Sequence, residues 1–170
     1  MDIRIRRADA DDAHALSAVA RATFLATFAD TVGWPDMQAR GRDEDSPEAF
    51  REHAEAGDPV WVAEVRDTRA PVGFAMLCAP DLPVETGPGD IELKRIYALH
   101  RVHGMGVGRR LLEAVEAHAR EAGRSRLLLG VHAENPTIAW YGRRGFAAVG
   151  TRRFRVGGAW FDDLVMAKSL

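Results

Sequence analysis

Three glycines at alternate positions, Gly104, Gly106 and Gly108, separate two stretches of different periodicity. Residues 91–98 are apolar with interleaved charges, which is typical of a strand, and the residues after the glycines are apolar at helical spacing. Glycine leaves such a turn without side chains, so backbone N–H groups and the positive end of the helix dipole stay open to an anion. This glycine loop (residues 104–108) predicts an anion site and favours a pyrophosphate as its ligand.

Other phosphate-binding loops fit these residues less well. A dinucleotide-binding G-x-G-x-x-G would need glycine at Arg109, and a P-loop would need Gly-Lys-Ser/Thr, which is absent. A methyltransferase loop G-x-G-x-G would match the glycines. Such a loop usually follows the first strand of a larger sheet, however, with an acidic residue just upstream where this chain has Val102.

Residues 96–98 and 103–112 resemble motif A of the GNAT acetyltransferases, whose pattern is Gln/Arg-x-x-Gly-x-Gly/Ala. The glycines of that pattern fall on Gly106 and Gly108, so His103 stands where Gln or Arg is usual. The resemblance implies acetyl-CoA as co-substrate, with its pyrophosphate on the backbone of residues 104–109. The coenzyme-binding residues that it implies are Ile96, Tyr97, Ala98, His103, Gly104, Met105, Gly106, Val107, Gly108 and Arg109.

A second block, Asn135 to Tyr141 followed by Gly145 and Phe146, resembles the family segment N-x-x-A-x-x-F-Y-x-x-x-G-F, although it is one residue short before the tyrosine. The resemblance implies that Asn135 lies beside the coenzyme and that Tyr141 returns a proton to the departing thiolate. Asn before proline is also a helix cap. The tyrosine could instead only hydrogen-bond the sulfur, or pack between helix and sheet.

Acetyl transfer to an amine also needs a base, because an alkyl ammonium with a pKa near 10.4 is not nucleophilic at neutral pH. Glu92, on the strand before the glycine loop, is the candidate base, and a solvent-facing structural glutamate is the alternative. The resemblance implies that backbone at Ala98 stabilises the oxyanion. It also makes Phe28 and Trp34 candidates for the wall of the amine site, with two core aromatics as the alternative.

The amine acceptor is the least determined feature. Residues 23–30, 91–97, 129–131 and 163–168 resemble the bacterial spermine/spermidine acetyltransferase branch, which implies a polyamine. The acidic stretch 42–58 is compatible with a polycation, or is simply a solvated helix face. A protein or peptide α-amine acetyltransferase and a non-catalytic acyl-CoA-binding sensor both stay open.

Composition limits the classes of partner. A net charge of −2 and a pI near 6.3 give no basic surface for nucleic acid or an anionic membrane. One cysteine, no signal-like apolar stretch and no zinc-type pairing of the six histidines predict a cytoplasmic protein without a metal. Homodimers are common in the family, so the resemblance also allows a homodimer.

The secondary-structure pattern and the resemblance together imply an α+β, three-layer fold. We expect a single GNAT-type domain over residues 1–170, with a mixed central sheet of about six to seven strands and about four helices on its two faces. An antiparallel hairpin is expected over 60–78, and another at the end of the chain, turning at Gly157 and Gly158. Gly33 and Pro35 should end the first helix.

Overall fold

The computed structural model describes every residue from Met1 to Leu170 and contains one seven-stranded sheet. The strands are β1 (Ile3–Arg7), β2 (Val60–Val65), β3 (Pro71–Cys78), β4 (Asp90–Ala98), β5 (Arg126–His132), β6 (Ala147–Val156) and β7 (Ala159–Ser169). The α-helices are α1 (Ala13–Phe28), α2 (Trp34–Asp43), α3 (Pro47–Glu55), α4 (Val107–Glu121) and α5 (Thr137–Gly142). Short 3₁₀ helices precede α1 and the glycine loop.

The sheet is mixed, with strand order β1-β2-β3-β4-β5-β7-β6. Only β4 and β5 are parallel, and α4 is the crossover that a parallel pair requires. The other neighbours are antiparallel, including the expected hairpins β2–β3 and β6–β7. The predicted α+β architecture, with a mixed sheet between helices, is confirmed.

Helices cover both faces of the sheet because its strands are apolar on both sides. Alternate residues of β2 and β3 go to different clusters, so that Trp61 and Ala75 lie with the α4 side chains, while Val62 and Phe74 lie with those of α1 and α3. The apolar stripe of α4 begins at Val107 and is buried along its length. This packing fixes the start of α4, and with it the glycine loop.

The pairing of β4 with β5 covers only three residue pairs, the last of which is Glu92 with Leu128. Beyond it, the β3–β4 pairing shifts register and leaves Lys94 without an opposite residue. Such a bulge bends its strand and increases the local twist. From this point β4 continues along β3, and β5 continues along β7, so the two parallel strands diverge and leave a gap in the sheet.

The end of α1 and the start of α2 differ from expectation. Gly33 and Pro35 lie beyond α1, as predicted, but they also begin α2, which the sequence patterns do not predict. Gly33 is the N-cap, with extended backbone at φ −65° and ψ 148°, and Pro35 stands in the first turn. Proline fits there because the first-turn N–H groups have no intrahelical partner. The structure therefore has five α-helices.

The β6–β7 hairpin reaches across the ends of α1 and α2. Val156 is buried with Phe24 and Met37, and the rings of Phe154 and Phe161 pack against this cluster. The hairpin thereby forms a wall beside the gap between β4 and β5.

Asp90 and Arg126 join the first residues of β4 and β5 at the closed end of the gap. Arg126 donates from Nε and Nη2 to the two carboxylate oxygens of Asp90 at 2.7 and 2.6 Å, and the Gly87 N–H donates to the same carboxylate at 2.7 Å. The hydrogen bonds from Arg126 lower the pKa of Asp90.

Asp90→Asn should lower the free energy of unfolding by about 1–2 kcal/mol at pH 7, because it weakens a charge-assisted pair that is partly exposed to water. The pKa of Asp90 is lower in the folded protein than in the unfolded chain. Its carboxylate therefore stabilises the fold fully above about pH 4, and this contribution is lost as the pH falls further. Urea unfolding of both proteins over a pH series measures the difference.

Asp67→Asn, in an exposed turn, is the matched control. An equal loss of unfolding free energy in the two variants would contradict this account of the Asp90–Arg126 pair. So would a difference in unfolding free energy between wild type and Asp90→Asn that stays the same at low pH.

Candidate active site

A cavity of ≈ 730 Å³ lies in the gap between β4 and β5, within the usual range for small-molecule sites. It has two halves on the two faces of the sheet. The loop half, next to the glycine loop, is lined by Ala98, His103, Asn135 and Tyr141. The hairpin half is lined by the end of α1 and by β6 and β7, at Phe28, Asp30, Arg152, Phe154, Phe161 and Asp163. The gap joins the two halves through the sheet.

The glycine loop has the backbone of an anion site. Gly104 and Gly106 both have φ of 78°, in the left-handed region that favours glycine, and Gly106 is the N-cap of α4. A side chain at Gly104 would meet no atom within 4 Å, and at Gly106 the nearest atom would be Nη2 of Arg109, at 3.8 Å. The first-turn N–H groups of α4 have no intrahelical partners. The loop therefore offers open donors beside an exposed cation.

The other predicted loop residues divide by burial. Val107 is 2% exposed and its side chain belongs to the core, so that only its backbone can face a ligand. Met105 is 44% exposed. A side chain at Gly108 would lie 3.5 Å from the Trp140 ring, which is an ordinary van der Waals contact and shows that α5 packs beside the start of α4. Arg109 pairs with Glu113 on the surface of α4, at 2.8 Å.

The end of β4 lines the cavity with Ile96, Tyr97 and Ala98. Nε2 of His103 lies 3.0 Å from the carbonyl oxygen of Ala98, so the imidazole donates to this carbonyl. His103 thus ties the turn before α4 back to the last residue of β4. This contact gives the residue that replaces the usual Gln or Arg a positioning role.

Asn135, just before α5, and Tyr141, near its end, both line the loop half. The Asn135 Oδ1 accepts from the backbone N–H of Thr137 at 2.9 Å and from its hydroxyl at 2.7 Å, which holds the start of α5. The N-cap of α5 is Pro136, one residue later than the Asn-Pro sequence predicts. Tyr141 is 8% exposed, and its ring is edge-on to Trp140 and Phe146. Burial, and to a lesser degree Tyr97, raise the pKa of Tyr141, so its phenol stays protonated at neutral pH.

Two predicted residues do not reach the cavity. Glu92 is 1% exposed, does not line the cavity, and accepts the backbone N–H of Asp81 at 2.8 Å with Lys94 nearby at 3.6 Å. This placement argues against Glu92 as the general base, because an acceptor amine cannot contact its carboxylate. Trp34 is 62% exposed at the start of α2 and does not line the cavity either, whereas Phe28 does.

The acidic stretch 42–58 contributes less to the cavity than its sequence suggests. Asp45 is 2% exposed and is held by Arg95 at 2.8 Å and by Arg40 at 3.2 Å. Only Glu44 of this stretch lines the cavity, and it also pairs with Arg40, at 2.8 Å. Asp45 therefore ties the end of α2 to β4, and the acids of this stretch other than Glu44 do not line the cavity.

The lining of the cavity carries as many Asp and Glu side chains as Arg and Lys side chains, but only carboxylates are left without an ion pair. All four of its cationic side chains are paired with acids: Arg40 with Glu44 and Asp45, Lys94 with Glu92, Arg95 with Asp45, and Arg152 with Asp163. Asp30 and Glu134 also line the cavity, are exposed, and make no ion pair. The free charge at the mouth of the cavity is therefore negative.

Several residues of the hairpin half are not identified by sequence reasoning as site residues. His132 stands at the end of β5, and Phe154, Phe161 and Asp163 come from a hairpin far away in the chain. The guanidinium of Arg152 lies over Gly130, where a side chain would overlap it. Strand alternation places 130 and 132 on one face, but only the topology shows which face that is.

The Acetyltransferase (GNAT) family matches residues 27–146 of the chain, from the end of α1 through α5. The chain belongs to the GNAT acetyltransferase family. The matched residues include the glycine loop, both diverging strands and Tyr141. The family assignment by resemblance is thereby confirmed, while the polyamine branch stays a prediction.

Individual relatives agree with this assignment. An uncharacterized N-acetyltransferase of Mycobacterium tuberculosis (strain ATCC 25618 / H37Rv) is 37% identical over 100 residues, which are 58% of this chain and 60% of that protein. The structure of PaiA N-acetyltransferase from Thermoplasma acidophilum in complex with coenzyme A has a TM-score of 0.81, with 22% identity and 100% of both chains covered. Ribosomal-protein-alanine N-acetyltransferase from Brucella melitensis has a TM-score of 0.72 and 29% identity, over 98% and 99% of the two chains. These structures confirm the predicted GNAT-type fold.

Two further classes of feature are not found. No three His, Cys, Asp or Glu side chains are grouped where they could hold a metal ion. No helix combines the length and the apolarity needed to cross a bilayer.

Proposed function

We propose that the chain transfers the acetyl group of acetyl-CoA to the primary amine of a small cationic acceptor, by direct attack through a tetrahedral intermediate. The observation that carries this proposal is the cavity through the gap between β4 and β5. Its two halves lie on opposite faces of the sheet and meet between the strands. A thioester in the loop half and an amine in the hairpin half can therefore be bound at the same time and react directly in the gap.

The loop half fits acetyl-CoA. The backbone of residues 104–109 supplies N–H donors at a helix N-terminus for the pyrophosphate, and Arg109 supplies a nearby cation. The main chain of Ile96 to Ala98 has no partner strand on the β5 side. Apart from the Ala98 carbonyl, which accepts a hydrogen bond from His103, its groups on that side are free for the pantetheine amides and for the developing oxyanion. Asn135 stands at the opposite wall and keeps α5 in place.

Tyr141 is the residue that we propose to protonate the departing thiolate. Its phenol lines the cavity and is kept protonated by burial. A phenol with a raised pKa is a weaker acid than a thiol near 8.5, so the proton must move as the carbon–sulfur bond breaks. A buried phenol in the loop half favours catalysis over the acyl-CoA sensor, because a sensor needs no proton donor there.

The hairpin half suits a cationic acceptor with an aliphatic chain. Asp30 and Glu134 offer unpaired carboxylates, whereas the cations of the cavity are neutralised. Phe28, Phe154 and Phe161 present aromatic rings, which pack against methylene groups and attract ammonium groups. These properties support a polyamine as the acceptor, in line with the resemblance.

A peptide α-amine is the second candidate acceptor. It is favoured by the 29% identity to the Brucella structure, which is named as a ribosomal-protein-alanine N-acetyltransferase. An N-terminal residue has a single ammonium group, and the peptide chain behind it must leave through the mouth of the hairpin half.

Tyr141→Phe should reduce kcat with the best amine by roughly 10²–10⁴-fold, the usual contribution of a general acid, because the thiolate would leave unprotonated. The ring itself is kept, so packing against Trp140 and Phe146 and the Kd for acetyl-CoA should not change. Thiol release and calorimetric binding measure the two quantities on the same protein. Unchanged turnover would remove the acid role, and lost binding would show that the tyrosine is structural.

The acceptor class is tested by acetyl-CoA-dependent thiol release with spermidine, spermine, short diamines, amino acids, aminoglycosides and peptides. We expect turnover with polyamines. Asp30→Asn and Glu134→Gln should each raise the KM for spermidine roughly two- to fivefold, the size expected for exposed charges, and leave kcat unchanged. Asp67→Asn is the matched control. Faster turnover of peptides than of polyamines would assign the chain to protein modification instead.

A further inference from the structure

We propose that His132 is the general base that removes a proton from the acceptor ammonium. This inference rests on the proposed acetyl transfer and supplies the group that Glu92 cannot supply. His132 lines the cavity at the end of β5. It follows Gly130 on the same strand face, and that face is the one toward the hairpin half.

Two aromatic side chains pack against the ring of His132 in the cavity. The ring lies edge-on to Phe28 at 6.3 Å and to Phe161 at 5.5 Å, measured between ring centroids. These two rings come from α1 and β7 and lie 6.2 Å from each other, so the three rings form one aromatic cluster that lines the hairpin half. An aliphatic amine that packs along this cluster therefore lies beside the imidazole.

The hydrogen bond of His132 determines which ring nitrogen is basic. Its Nδ1 lies 3.1 Å from the carbonyl oxygen of Asp162, an atom that can only accept, so Nδ1 carries the hydrogen. In the neutral ring Nε2 then keeps its lone pair, and no protein group occupies it. A neutral imidazole with a fixed tautomer and a free nitrogen is the arrangement expected of a general base near neutral pH.

The charged groups around His132 do not compete for this role. Asp163, its register partner on β7, is bound by Arg152 of β6 at 3.0 Å. Asp30 and Glu134 face the same cavity as exposed carboxylates, and we assign them to attraction of the acceptor.

The proton balance of the reaction is complete with these groups. The ammonium passes one proton to Nε2 of His132, and the free amine attacks the thioester carbon, forming the C–N bond while the C=O electron pair moves to oxygen. Collapse of the intermediate breaks the C–S bond, the thiolate takes the Tyr141 proton, and the second proton of the attacking nitrogen restores the phenol. His132 then releases its proton to water, so each turnover yields an amide, free CoA thiol and one H⁺.

The test compares His132→Asn with the wild type. The Asn Nδ2 can still donate to the Asp162 carbonyl, but the variant has no basic nitrogen. We expect kcat/KM for the best amine to fall roughly 10²–10⁴-fold with an unchanged Kd for acetyl-CoA. The pH profile should change in form as well. The wild-type kcat/KM should reach a plateau near neutral pH, whereas that of the variant should keep rising toward the pKa of the amine.

Chemical rescue distinguishes a base from a structural residue, because added imidazole can replace a missing base but not a missing packing contact. His132→Ala should regain turnover in proportion to added imidazole, because the free base can occupy the vacated space. His14→Asn, on the exposed start of α1, is the control and should keep both the rate and the pH profile of the wild type.

The outcomes separate this inference from the proposed function. If the wild type releases no thiol with any amine, both the proposed acetyl transfer and the base role of His132 are overturned. If the wild type is active and His132→Asn keeps its plateau and rate, only the base assignment is overturned. Loss of activity without a changed pH profile and without imidazole rescue would likewise overturn it, since His132 would then only position other groups.

Discussion

The pairing of β4 with β5 ends after three residue pairs, and the rest of the site depends on that interruption. The Asp90–Arg126 pair closes one end, and the bulge at Lys94 turns β4 away at the other. Each strand keeps its outer partner, so the sheet stays intact while its centre opens. Between the diverging strands, backbone N–H and C=O groups lack the partners that a continuous sheet would give them. A ligand can therefore bind these groups, and the cavity in the middle of the apolar core is polar for this reason.

The same interruption separates two kinds of recognition. On the loop face, α4 is held in place by its buried apolar side chains from Val107 onward. Its open N-terminus can bind the phosphate of many different ligands, so it gives little selectivity. On the hairpin face, side chains from α1, β5, β6 and β7 converge, so recognition depends on their identity. The unpaired carboxylates Asp30 and Glu134 and the imidazole of His132 line the cavity where we propose that a cationic amine binds and loses a proton.

Local signals in the sequence predict the strands and the glycine loop, because each is encoded within a few consecutive residues, whereas Asn135 and Tyr141 of the loop half are implied by the family resemblance. The hairpin half could not be predicted in this way. Phe161 and Asp163 reach His132 only through the β5–β7 pairing, which no periodicity reveals. Glu92 illustrates the same limit, since its position on β4 fits a base, but the loop that contains Asp81 covers its carboxylate. Pro35 was predicted as an end to a helix, although with Gly33 before it the same residue begins α2.

Acetyl-CoA binding to Gly106→Asp, measured by calorimetry, tests the central claim most directly. Gly106 stands at the N-cap of α4, and a carboxylate there should repel the pyrophosphate and weaken binding by at least roughly 100-fold. Gly57→Asp is the matched control, because it carries the same substitution at φ 82°, with no atom within 4 Å, far from the loop. Lost binding in Gly106→Asp alone, with both proteins folded, is the predicted result. Equal affinity in the two variants would contradict the claim that acetyl-CoA binds at the glycine loop.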